Sequence, residues 1–396
     1  MSLYSNSKIN THIVRPIYHN KQRTEFRLPA KNLLSNWRLV NVGCSVDATA
    51  VGNNVKYPVN SGCHCLFENI YLYANDNQLI ASLRNAHQYL AVVDALQNNA
   101  EETSLTHYLT QNGMGFTVGV DGKIKMSADS PVLTGDVTTT PKGRLDLTTA
   151  LKYLDYTKVV PCDVLDLRLV IEWSQSGTNF NMDPTGPAVT ITAIAEPELI
   201  VDEIDGASPQ SGSVQYWNVE NDRAVIDAVP AGADPKETEF KLDGYDGKVV
   251  NRVLMLNNIN SIPEQKTGID RSVPQVGEEV DILLNGKQVI PFGGINSASK
   301  KQHLFNSTWG SMNFPLGCNM EGMDGVADIY TDANIPAFSY GGMSWADAGR
   351  ITDCQIKYKR FHGAIPAQQN SMNYIVFAEV GRAMEYKDSK VVVANA

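Results

Sequence analysis

Cys63-His64-Cys65 is the densest cluster of metal-binding side chains in the chain, with two thiols and an imidazole in three residues. Zinc takes such ligands, but a structural site needs a second pair at a definite spacing. No CxxC or HxxxH follows. On a strand, alternate residues face opposite ways, so His64 would point away from both thiols. The three are therefore expected to be small buried core residues, with no metal. Gly342-Met343-Ser344-Trp345-Ala346 approaches a nucleophile elbow, but Ala346 stands where the second glycine belongs. His362 follows too soon for the hydrolase order of serine, acid and histidine. Asp324, Asp328 and Asp332 recur every four residues. A calcium loop wants alternating oxygens and a glycine at its sixth place. Gly113-Met114-Gly115 and Gly293-Gly294 complete no nucleotide-binding fingerprint and are read as turns or bulges. Asn306-Ser307-Thr308 fits a glycosylation acceptor and is given no role. The seven histidines are scattered. No catalytic, cofactor-binding or metal residue is assigned, and the chain is expected to be no enzyme and to carry no cofactor.

Charge points away from nucleic acid. The 396 residues hold 33 basic and 43 acidic side chains, a formal charge of −10. No Lys/Arg block supplies the basic stripe that a general nucleic-acid binder needs to displace counterions. The first 23 residues differ, for Lys8, Arg15, Lys21 and Arg23 all precede the first acidic residue, Glu25. By composition this is a solvated terminal arm. It could touch an acidic neighbour, a membrane surface or a nucleic acid. Its removal (residues 1–22) is expected to leave the rest folded but to impair assembly. Residues 1–20 contain no apolar run of the kind a secretory signal needs. Nowhere does an apolar stretch reach the length of a membrane span. Cys44, Cys63, Cys65, Cys162, Cys318 and Cys354 are too irregularly spaced for a disulfide framework. Folding in a reducing cytoplasm or nucleus is expected.

The elements that would position any surface are mostly strands. Only 19% of residues are charged, while Gly (30), Pro (18) and Asn are frequent. That suits short strands joined by many turns. Over Val164–Trp173, Leu165, Leu167, Leu169, Ile171 and Trp173 alternate with polar residues, which predicts a strand with one buried face. Trp37–Val46, which alternates less cleanly, and the β-rich runs Leu66–Tyr73, Ala188–Ala195 and Glu198–Ile204 also read as strands, the last two separated by Pro197. Asp121-Gly122 and Asn285-Gly286 sit between strand-like runs and predict two-residue hairpins. Asp243-Gly244 and Asp246-Gly247 mark a turn before Lys248–Leu256. A helix is predicted from an Asp76 N-cap, because Leu79, Leu83, Ala86, Leu90 and Val93 keep helical spacing. A second is predicted over Leu147–Leu154, capped by Asp146.

A stretch from Asp205 to Ser213 is poor in large apolar residues and has linker composition. The expected division is an arm (1–23), a first sandwich (24–205), a linker (206–215) and a second sandwich (216–396). No residue-by-residue repeat links the halves, so duplication is expected from architecture alone.

Three stretches carry a family resemblance. Gly143-Arg-Leu-Asp-Leu-Thr-Thr-Ala-Leu-Lys-Tyr-Leu-Asp155 is followed by Thr157-Lys-Val-Val-Pro-Cys162 and the run Val164–Trp173. Ile191–Glu203 resembles the closing strand of a first jelly roll. Gly277–Pro291 fits a hairpin in a second. This order resembles double jelly-roll major capsid proteins of the adenovirus and tectivirus lineage, including virophage-like and polinton-like elements. The resemblance implies an all-β fold: two consecutive antiparallel jelly-roll sandwiches with a few inserted helices. It also implies homotrimeric capsomers of pseudo-hexagonal outline that tile an icosahedral shell, with neighbouring capsomers, penton and minor capsid proteins as partners. The implied place is the virion, after synthesis in host cytoplasm or nucleus. The chain lacks the long tower insertions of larger members. The competing reading is a β-sandwich receptor- or carbohydrate-binding virion protein such as a fibre or spike, with Tyr216-Trp217 as a sugar-stacking pair.

Overall fold

The computed structural model describes residues 8–30, 33–48, 54–57, 62–75, 77–90, 116–118, 124–126, 133–177, 180–183, 189–205, 211–227, 236–241, 247–259, 278–288, 295–296, 337–340, 353–360, 372–387 and 390–395. In chain order the strands begin with β1 (Ile9–Val14), β2 (Tyr18–His19), β3 (Arg23–Arg27), β4 (Leu33–Val42), β5 (Cys44–Ala48) and β6 (Asn54–Lys56). There follow β7 (Phe67–Ala74), β8 (Gln78–Arg84), β9 (Phe116–Val118), β10 (Ile124–Met126), β11 (Gly143–Asp146) and β12 (Val160–Pro161). β13 (Arg168–Trp173), β14 (Asn181–Asp183), β15 (Val189–Ile194) and β16 (Glu198–Ile204) complete the first half. The second half holds β17 (Ser211–Ile226), β18 (Lys236–Lys241), β19 (Val250–Ile259), β20 (Glu278–Leu284) and β21 (Lys287–Gln288). It closes with β22 (Ile295–Asn296), β23 (Ala337–Tyr340), β24 (Cys354–Arg360), β25 (Met372–Lys387) and β26 (Lys390–Asn395).

Among the described residues, two five-stranded sheets form in each half, beside three two-stranded ladders in the first (β9–β10, β6–β14 and β5–β15), and the strand orders of the large sheets match. In the first half they run β1-β16-β4-β11 and β2-β3-β13-β7-β8; in the second, β17-β25-β19-β23 and β18-β24-β20-β21. Setting aside β2, the off-path strands β12, β22 and β26, and the two-stranded ladders, each half has eight strands in chain order. Both halves then read 1-8-3-6 in one sheet and 2-7-4-5 in the other. Pairing between these strands is antiparallel throughout. This is the double Greek-key wrapping of a jelly roll, present twice. The expected fold class is the observed one, and the duplication invisible residue by residue is plain in the topology.

Alternation builds the first core. Trp37, Leu39, Leu199 and Val201 of one sheet join Phe26, Leu72, Leu169 and Ile171 of the other in one buried cluster. The Trp173 indole donates to Thr24 Oγ1 at 2.7 Å, so its polar end is satisfied inside. Asparagine shapes the turns and bulges. Among the described residues, six of the eight non-glycine residues with positive φ are Asn, at 36, 41, 75, 77, 85 and 285. Asn tolerates this region because its short polar side chain bonds locally. Asn36 and Asn41 lie where β4 slips register against β16 and β11. Asn285 (φ 51°) and Gly286 (φ 73°) join β20 to β21 as the predicted two-residue hairpin. β9 and β10 pair as predicted, although the Asp121-Gly122 turn lies outside the described residues.

Several expectations need correction. The stretch after Asn77 is not a helix: β8 pairs with β7 across a turn made by Asn75 and Asn77. Leu79 and Leu83 are four apart, a spacing that is even as well as helical, so it suits one face of a strand too. Helical geometry begins only at residue 86 and is described to residue 90; Asp76 lies outside the described residues. The strand predicted from Val164 starts at Arg168, because Cys162–Leu165 forms a helical turn ended by Asp166 in the left-handed region. Asp146 caps its helix as predicted, accepting from Thr148 N–H at 3.0 Å, but the helix breaks at Leu151 into Leu147–Ala150 and Lys152–Thr157. From Ile9 on, the N-terminal segment is built into the first roll rather than standing off as an arm. β1 pairs with β16 over six residues, from Ile9↔Ile204 to Val14↔Leu199, and β2 pairs with β3. Removing residues 1–22 would thus strip an edge strand from the first sheet.

The two rolls meet along β8. Tyr216, 2% exposed, donates from its hydroxyl to the Ile80 carbonyl at 2.6 Å. Two residues on, Ser82 N–H donates to Asn218 Oδ1 at 2.9 Å. Tyr216 also stands edge-on to Tyr153 at 4.9 Å, and Tyr89 lies 5.4 Å from Phe377 of β25. Phe377, Met384 and Tyr386 belong to the same buried cluster as the first roll's core. Tyr216→Phe would leave the Ile80 carbonyl buried without its donor, which costs about 1–3 kcal/mol. Denaturant unfolding of this variant should show a loss of that size, and an unchanged midpoint would contradict the assignment.

Candidate functional site

Among the described residues no group of three or more His, Cys, Asp or Glu is arranged to hold a metal ion. Cys63-His64-Cys65 lies in a 3-10 helix, Gly62–Leu66, not on a strand, and all five of its residues are buried. Three residues per turn set consecutive side chains about 120° apart, so the two thiols splay. The His64 ring donates through Nε2 to the Arg144 carbonyl at 3.0 Å and lies 6.1 Å from the Phe67 ring. Tyr57 buries its hydroxyl beside these thiols, accepting the Cys44 N–H at 3.1 Å. Burial pushes the Cys44 thiol up to about 12, against a smaller lowering by its contact with Tyr57. Burial likewise holds Cys65 and Cys162 well above the usual thiol range. Thiols held protonated in this way are poor nucleophiles and poor ligands. Cys44, Cys63, Cys65 and Cys162 are all unbridged. The other sequence motifs, Gly113–Gly115, Gly293-Gly294, Asn306–Thr308, Asp324, Asp328, Asp332, Gly342–Ala346 and His362, lie outside the described residues. Tyr216 is buried in the seam between the rolls, so Tyr216-Trp217 is no platform for a sugar.

What the fold does assemble is a surface on the first sheet. An open cleft of about 540 Å³ is lined by Ser35, Asn36, Arg38, Asp146, Thr148, Leu154, Lys158, Val159 and Asp202. Asp202 is its organising residue. Its two carboxylate oxygens accept from Thr11 Oγ1 at 2.7 Å and Asn36 Nδ2 at 2.8 Å, and Arg38 stands 3.6 Å away. Burial alone would raise this carboxyl, but the bonds from Asn36 and Thr11 and the charge of Arg38 outweigh it and hold it below the ordinary carboxylate range. The next residue, Glu203, turns to the opposite face and pairs with His12. Two successive carboxylates of β16 thus fasten β1 to the sheet. Sequence reasoning missed both, since each partner is 191 residues away. The one available signal was the adjacent pair Asp202-Glu203 interrupting the apolar residues of the strand.

Two eight-stranded Greek-key sandwiches in one chain, sharing a seam and holding no assembled catalytic group among the described residues, define a double jelly roll. No family model matches the chain, and no curated protein matches it in sequence. Solved structures match it in fold. PBCV-1 VP54, fitted into a reconstruction of the virophage Sputnik, is 11% identical with a TM-score of 0.57, covering 100% of this chain and 98% of that one. The Faustovirus major capsid protein is 9% identical with a TM-score of 0.55, over 98% of this chain and 92% of its own. The mavirus major capsid protein is 11% identical with a TM-score of 0.50, over 97% and 90%. At such identities the likeness is one of fold.

Two outcomes follow from this geometry. Chelator treatment should leave the melting temperature unchanged, and a shift of many degrees together with stoichiometric zinc would overturn the reading of Cys63, His64 and Cys65. Asp202 should contribute stability that is complete above its unfolded value of about 3.9 and is lost as pH falls through its lower folded value. Unfolding measured from about pH 5 to pH 2 should therefore fall less steeply in Asp202→Asn than in the parent. Identical slopes would contradict the role given to this carboxylate.

Proposed function

We propose that this chain is a major capsid protein, the shell-building subunit of an icosahedral virus particle. The observation that carries the reading is the whole-chain likeness in fold to the Faustovirus and mavirus major capsid proteins. Physical reasoning supports it. Two sandwiches of one strand order, joined along β8 and β17, form a pair of similar wedges. Three such pairs around a three-fold axis make a six-wedged tile from one heterologous contact repeated three times. The tile needs wide surfaces and no reaction centre, and it does no chemistry. Its partners in this reading are two further copies in a homotrimer, neighbouring capsomers, and penton and minor capsid proteins. Its place is the virion, following synthesis in host cytoplasm or nucleus. The proposed division keeps 24–205 and 216–396 as the two rolls. It adds β1 and β2 to the first and carries β17, from Ser211, into the second.

The alternative of a receptor- or carbohydrate-binding virion protein is the weaker reading, because Tyr216 is committed to the seam. Light scattering on the purified full chain tests the proposal. The expected mass is three times the 43.4 kDa of one chain, with more than the ~1,600 Å² of a standard contact buried between copies. A stable monomer at micromolar concentration would overturn it.

A further inference from the structure

The sheet edges of the first roll are treated unequally. At β8 the outward groups of Ile80 and Ser82 are taken by Tyr216 and Asn218. Among the described residues none covers β1 in this way. It ends its sheet, and among the described residues it bonds to β16 on one side only. Asp205 N–H donates to the Lys8 carbonyl at 3.0 Å. Antiparallel alternation then directs the backbone groups of Ile9, Thr11 and Ile13 to the open side. Proteins usually blunt such an edge with a bulge, an inward charge, a lysine or a proline within the strand. β1 is Ile-Asn-Thr-His-Ile-Val and runs without a register shift. Its side chains add to the exposure: Ile9 is 62% exposed and Ile13 63%, and just beyond it Ile17 is 63% and Tyr18 50%. These four are among only seven large apolar residues left exposed in the described structure. An open edge that carries exposed isoleucines is the form of a surface that receives an extended segment.

Charge indicates the occupant. Lys8 and Arg15 bracket the strand, and Arg15 reaches Glu198 only at 3.8 Å with most of its side chain exposed. Pairing β1 with another β1 about a two-fold axis through Thr11 would set Lys8 opposite Val14 and one residue from Arg15, crowding like charges within about a Debye length at each end of the ladder. The partner is therefore a different surface, and one with negative charge. The rest of this chain carries the whole acidic excess, so another part of a second copy meets both conditions. Phosphate surfaces call for a broader basic stripe than four residues provide.

We infer that the open edge of β1, with Ile9 and Ile13, docks an acidic extended segment of a second copy of this chain in a heterologous contact. The inference rests on the shell reading and gives it a specific seam: a head-to-tail contact of this kind closes into a ring. The test uses the full chain. Ile9→Lys and Ile13→Lys together place charge on exposed positions, so the monomer should melt as the parent does. Self-association, followed by sedimentation, should weaken about tenfold or more. Parental association by a folded double variant would overturn the inference. Should the variant fail to fold, Ile13→p-benzoylphenylalanine decides instead. Irradiation should yield a chain-to-chain cross-link, and its absence would overturn the inference. A parent chain that never associates would defeat the shell reading itself. A chain that associates while the double variant is unaffected defeats only this assignment of its seam.

Discussion

A sheet edge cannot be left with bare backbone groups inside a protein, and the double roll depends on how that constraint is met at β8. The outward carbonyl of Ile80 and N–H of Ser82 would be buried once a second sandwich came alongside. Tyr216 and Asn218, alternate residues of β17, supply the matching donor and acceptor. Buried polar groups without partners cost more than a formed bond returns, so the two residues fix which part of the second roll can lie there. The packing agrees with them. Tyr153 sits against Tyr216, Tyr89 against Phe377, and a single apolar cluster runs from the first roll into β25. The rolls are joined by a core as well as by a linker.

The same constraint organises an edge of the other sheet of the first roll. β1 is fastened on its inner side by Asp202 and Glu203, which reach Thr11 and His12 on opposite faces. Its outer side is open among the described residues, and this asymmetry between two edges of one sandwich separates an internal seam from an external one. In a shell built of copies, a roll needs both kinds.

Much of the fold was legible in the sequence, and the misreadings have physical causes. β16 and β20 declared themselves by apolar runs bounded by Pro197 and by Asn285-Gly286. Short helical pieces did not, because Cys162–Leu165 and Gly62–Leu66 last one turn, too little for a period to show. Leu79 and Leu83 fit a helix as well as a strand, and the turn at Asn75 and Asn77 decided for the strand. β1 read as an arm because half its residues are polar and its basic flanks suggest solvent. Pairing across 191 residues with β16 overrode that local signal. The absence of any metal or catalytic assignment was sequence reasoning from spacing. At Cys63-His64-Cys65 the structure replaces the strand argument with a buried 3-10 turn. The partners of the two carboxylates and the seam could not be found in advance, for they exist only once distant strands are paired.

The central claim is that this double jelly roll associates as copies around a three-fold axis to tile a shell. Electron-microscope class averages of the purified full chain in vitreous ice test it most directly. The account predicts particles with three-fold symmetry and a hexagonal outline, each showing six sandwich densities. Isolated two-lobed particles at micromolar concentration, with no higher symmetry, would contradict it.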